Sequence, residues 1–182
     1  MNRILFSIKN VSAEDLLIDY DVRPYPNSKN IDVDAIYDKL GISILCKNLS
    51  QFEKDANINC VDGIVFCDEH GVVFFISDKL TRHKQRYVAA YLLGCCTQGL
   101  VGKEDESSYY VKSQDEKMNE YTKKAEQFAL ELLMPYKSLI AVTSKLLRTD
   151  LSVLIQIFDV TYKEMTQRLD LLRIPYYKDV FC

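Results

Sequence analysis

The sequence predicts an α+β fold, with a small β-sheet packed on helices and a helical tail behind it. Three observations carry that expectation. The run RYVAAYLLGCC (86–96) has no charge after its first residue. Its apolar and small residues leave no polar face at a helical period, as in a helix enclosed by protein on every side. Just before it, two β-rich runs (63–67 and 72–77) flank DEHG, which reads as a hairpin with glycine at the turn. After it, the helical period dominates from 120 to 172.

Taken in order, residues 4–8 form a short β-prone run. Ser12 with Asp15 caps a helix opening onto Leu16, Leu17 and Ile18. The prolines and asparagines of RPYPNSKN (23–30) mark a loop. Asp32 caps the next helix, whose Val33, Ile36, Tyr37 and Leu40 share one face, and Gly41 ends it in a left-handed turn. Residues 42–46 then alternate as a strand does, and 47–60 carries no clear pattern. Beyond the apolar helix, VGKEDESSYYVKSQDEKMN (101–119) is polar enough to be an exposed loop. A helix follows from Glu120, with Ala125, Phe128, Ala129, Leu132 and Leu133 on one face and Pro135 as its stop. Three more helices are expected over 138–147, 150–158 and 161–172, the last opened by a Thr161–Glu164 capping box.

At 182 residues and 48% hydrophobic content the chain can bury one sizeable core, read here as 1–135, with a helical extension over 136–182 packed on it. Its 23 basic and 26 acidic residues leave a net charge of −3, against the basic excess of an electrostatically driven nucleic-acid binder. Six cysteines without a C-x-x-C pair read as free thiols of a reducing cytosol. No signal peptide is visible in the charged first residues, and no apolar run approaches the roughly 20 residues of a membrane span. A cytoplasmic protein is expected.

The residues 86–96 also resemble the zinc helix of the ImmA/IrrE family of metallopeptidases, approximately R-F-T-x-A-H-E-L-G-H. Arg86, Tyr87, Ala90, Leu93 and Gly94 fit that pattern. IDVDAIYDKLGISIL resembles the family's entry segment, and AEQFALELLMP resembles its E-A-N-x-F-A-A-E-L-L-M-P segment. Phe158, Val160, Thr161, Arg168, Leu169 and Leu172 match its helix-turn-helix-like tail, so the likeness spans about 32–172. The resemblance implies a zincin-like core. It also places the two zinc histidines on Tyr91 and Cys95, the catalytic glutamate on Leu92 and the third ligand on Lys124.

None of those four can do the chemistry. A zinc peptidase needs two imidazoles one helical turn apart, a third ligand and a base for the bound water. Leucine takes no proton, an ammonium repels zinc, and a single thiolate makes no site. His70, in the hairpin turn, and His83, before the helix, are not spaced to replace the pair. Cys95 or Cys96 as a nucleophile would need a base and an electropositive setting that the neighbouring sequence lacks, so buried structural thiols are expected. Tyr91, Leu92, Cys95 and Lys124 thus read as vestigial positions, with no metal, no cofactor and no catalysis. Family members are common on phages and integrating elements, where they act on helix-turn-helix repressors. The resemblance therefore implies a regulator or inhibitor that binds a protein, either a repressor or a host defence factor such as a CRISPR nuclease. Tyr109 and Tyr110 are the candidate partner contacts, because tyrosines anchor interfaces well. The alternative is a DNA-binding regulator whose last helix offers Lys163 and Gln167 to the major groove, weakened there by Glu164 and Asp170.

Overall fold

A computed structural model describes residues 8–22, 31–68, 70–101, 108–113, 119–145 and 150–177. Among these are eight helices and a four-stranded mixed sheet. The chain runs α1 (Ala13–Asp19), α2 (Val33–Leu40), β1 (Ile42–Lys47), α3 (Ser50–Ala56), β2 (Val61–Cys67), β3 (Val72–Ser77) and α4 (Arg82–Thr97). It continues through β4 (Ser108–Ser113), α5 (Glu120–Leu133), α6 (Tyr136–Thr143), α7 (Leu151–Phe158) and α8 (Tyr162–Leu172). The strand expected at 4–8 lies outside the described residues except for Ile8, and the loop 23–30 lies wholly outside them.

The local signals act as their chemistry dictates. Ser12 accepts the Asp15 amide at the start of α1, and Asp32 accepts the Ala35 amide at the start of α2. Gly41 closes α2 at φ 65°, where a side chain would be strained. Thr161 and Glu164 form the expected reciprocal box before α8, and Asn119 with Thr122 forms a second one before α5.

In the sheet the order is β1-β3-β2-β4, with β1 parallel to β3 and the other pairs antiparallel. Because strand side chains alternate, the register Ile44–Phe74–Val65 faces one side and Leu45–Phe75–Ile64–Val111 the other. The first side joins the main core. On the second, Phe75, Ile64 and Val111 are covered by Leu49, Phe52 and Ile58 from α3 and its flanks, forming a smaller cluster that leaves Leu45 exposed. Two differences from the sequence reading concern this sheet. Residues 108–113, expected within an exposed loop, form the edge strand β4 on β2, and the patternless 47–60 contains α3. The flanks of β4, 102–107 and 114–118, lie outside the described residues.

α4 is the pillar of the molecule. Every residue from Tyr87 to Thr97 is buried, as the uncharged run requires. Its underside rests on the sheet, where a Cβ on Gly63 would come within 2.7 Å of Val88 Cγ1. Its flank rests on α5, where a Cβ on Gly94 would meet the Ala125 carbonyl oxygen at 2.9 Å. Gly94 therefore sets the helix–helix distance. The tail shares this core through Leu154, Phe158, Met165 and Leu169. Arg168 donates from Nε to the Met134 carbonyl at 3.2 Å and lies 3.6 Å from Glu131, tying α8 to the end of α5.

One buried group is ill served. Among the described residues the Tyr37 hydroxyl is a buried side-chain oxygen with no hydrogen-bond partner, and burial drives its ionisation far above the usual tyrosine range. Its ring meets Phe74 edge-on at 5.8 Å, a contact phenylalanine would keep. Tyr37→Phe should therefore stabilise the fold by about 1–2 kcal/mol, relieving an unmatched desolvation. Thermal unfolding should shift upward by a few degrees, and an unchanged or lower midpoint would show that the hydroxyl is satisfied after all.

Candidate functional site

The positions singled out on α4 come together with β4. Tyr91 and Cys95, one helical turn apart, are both fully buried, as is Leu92 between them. The Tyr91 hydroxyl lies 3.2 Å from the Tyr110 hydroxyl, and the Lys112 ammonium sits 4.3 Å above the Tyr91 ring centroid. Strand alternation explains why both Tyr110 and Lys112 reach this face, since they are two residues apart on β4. A cation over an aromatic face is attracted by the ring's electrons, more so when partly dehydrated. Burial pushes the Lys112 pKa down, while Glu126 and Asp62 act in the opposite direction to keep it charged.

These residues do not fit a zinc ion. Tyr91 already shares its hydroxyl with Tyr110, Leu92 has no donor, and a lysine ammonium overhangs the helix. Lys124, assigned the third ligand position, is not part of this group. It is exposed, and its Nζ lies 2.7 Å from Glu120 Oε1 one turn back on α5; that bond raises the lysine pKa and lowers the glutamate's. Among the described residues no three His, Cys, Asp or Glu side chains gather as a metal would need. Burial also pushes the Cys96 thiol well above its usual pKa, which disfavours the thiolate that a nucleophile needs.

The remaining predicted residues are scattered. His70 is exposed in the hairpin turn, its backbone amide bonded to Asp68. His83 is exposed at the start of α4, with Nε2 2.8 Å from Asp159 Oδ1. Of Tyr109 only the backbone is described, paired with Phe66, whereas Tyr110 is half-buried against Tyr91 rather than held out to solvent. Lys163 and Gln167 line a shallow groove with Thr166 and Leu171, and that groove also holds Glu126 and Asp170.

Sequence reasoning missed Lys112 and the part played by Arg86. The alternation Tyr110-Val111-Lys112 was the available signal, and the charged residues on either side obscured it. Arg86 matched a family pattern, but its structural work is visible only in three dimensions. Its guanidinium donates to the carbonyls of Phe158 (2.9 Å), Asp159 (3.0 Å) and Ile31 (2.7 Å).

No helix among the described residues is long and apolar enough to cross a membrane. Compared with models of known families, with curated proteins and with solved structures, the chain matches none.

Proposed function

We propose that this chain is a non-catalytic, zincin-like relative of the ImmA/IrrE metallopeptidases that binds a protein partner and inhibits or regulates it. The single observation that carries the reading is the state of the would-be active face. Tyr91, Leu92 and Cys95 are sealed in the core, Tyr110 and Lys112 of β4 lie against Tyr91, and Lys124 points into solvent. A hydrolytic site must admit a substrate to its reacting groups, and this face has neither an opening at Tyr91 nor a base at Leu92. What remains available to such a scaffold is binding. In this reading the chain serves a phage or other mobile element, and its target is a repressor or a host defence factor such as a CRISPR nuclease.

The DNA-binding alternative has less support. Lys163 and Gln167 share their groove with two carboxylates, which oppose a phosphate backbone. Arg168 is turned inward to the Met134 carbonyl and is buried, so it adds nothing to that surface.

Elemental analysis of the purified chain, followed by affinity capture with the intact protein as bait, tests the proposal. The expected result is zinc far below one per chain and a stoichiometric protein partner. Zinc at one per chain, with a chelator-sensitive proteolytic activity, would overturn it. Retention of random duplex at low salt, with no protein captured, would favour the DNA alternative.

A further inference from the structure

We propose that β1 is a docking edge for an extended segment of a partner protein, and that the cleft beside it receives a lysine or arginine side chain from that segment. Among the described residues β1 has a strand neighbour on one side only, β3. Its sequence ISILC carries none of the devices that guard free edges, namely proline, inward charge or a bulge, and the first lysine comes at its end. Leu45 is 41% exposed at the middle of the strand, an apolar surface that a paired segment would cover.

Over the inner face of β1 lies a cleft of about 220 Å³. Ile44 and Cys46 of β1 line it, so a strand added beside β1 would send alternate side chains to the same face. That combination is the physical basis of recognition by strand addition: backbone bonds hold the segment and a pocket selects its side chains.

The chemistry of the cleft specifies the side chain. Ile44, Ile76 and Ala89 give an apolar floor, while Asp32, Asp34 and Asp159 place three carboxylates around it. Against them stand the guanidinium groups of Arg82 and Arg86, so three carboxylates face two cations. Asp32 caps α2 and Asp159 pairs with His83, which leaves the exposed Asp34 as the carboxylate at which a ligand cation is received. A long basic side chain lays its methylenes on the floor and brings its cation to the exposed Asp34, as such side chains do at apolar–polar borders.

The inference rests on the reading of this protein as a partner-binding module, and one experiment separates the two. Random linear octapeptides displayed on phage are selected against the immobilised full chain, and the enriched peptides are synthesised. The expected winners carry Lys or Arg at a fixed place in a proline-free stretch. Exchange of that residue for Glu should weaken binding at least tenfold. Asp34→Asn should weaken it several-fold while circular dichroism stays unchanged. N-methylation of alternate peptide bonds should abolish binding in one register and spare it in the other. Winners without a basic residue, winners indifferent to Asp34→Asn or to N-methylation, or no enrichment at all would overturn the β1 site. Any of those results leaves the non-catalytic reading standing, since that reading falls on metal content and proteolysis instead.

Discussion

Arg86→Met is expected to destabilise the protein by about 2–3 kcal/mol, short of the loss for a fully buried charge because the hydrogen-bonded guanidinium is half-buried. Methionine keeps the unbranched stem, so packing changes little and the loss reports the guanidinium. That group, carried on α4, ties in two other parts of the chain, namely Ile31 before α2 and the consecutive residues Phe158 and Asp159 where α7 turns to α8. Hydrogen bonds from charged donors contribute about 1.5–3 kcal/mol each, and removing the donor leaves three carbonyls to find water. Burial lowers the Arg86 pKa, opposed by the nearby Asp159, so the cation is kept. Urea unfolding measures the effect through its midpoint. Arg86→Lys should lose less but still lose, because an ammonium is a compact point donor and cannot span three acceptors as a planar fork does. A loss below about 1 kcal/mol for the methionine variant would mean that water replaces the guanidinium readily and that the three segments are held by their apolar contacts alone.

What the sequence disclosed and what it hid follow from the range of the interactions. The buried helix around 86–96 was legible because its environment is written into its own residues: no charge, no polar stripe. Capping at Ser12, Asp32 and Thr161 was legible because a cap is settled within three residues. α3 was hidden because it is short and none of its residues is buried, so it shows no apolar stripe to read. β4 was hidden because its strand identity comes from pairing with β2, more than forty residues earlier in the chain, and its neighbours in sequence are acidic and polar. The parallel pairing of β1 with β3 is likewise a matter of tertiary contact. At the site the same division holds. That Tyr91 and Leu92 would be buried follows from their own chemistry, and the outward turn of Lys124 follows from its neighbour Glu120 one helical turn away. That a lysine from a polar stretch would cover Tyr91 could not be read locally.

Installing the zinc helix of the proposed ImmA/IrrE likeness, by Tyr91→His, Leu92→Glu and Cys95→His together, should fail to recruit zinc and should cost about 3–5 kcal/mol of stability. Leu92 has no exposed surface, so a carboxylate there must be buried without a partner or be held neutral by a strongly raised pKa. Tyr91→His also gives up the contact with the Tyr110 hydroxyl. Two imidazoles would then face the Lys112 ammonium, whose charge opposes a divalent cation, and the third ligand position would still be Lys124 in solvent. Isothermal titration with zinc and thermal unfolding of the triple variant measure both effects. Adding Lys112→Met separates the causes: binding that appears only then would assign the failure to the overhanging ammonium, whereas continued failure would assign it to the missing ligand and the closed face. Tight zinc binding by the triple variant itself would show that this face opens beneath β4 far enough to hold a metal. Three side chains would then be all that separates this chain from a zinc-binding one, and the reading of the face as closed to metal would fall.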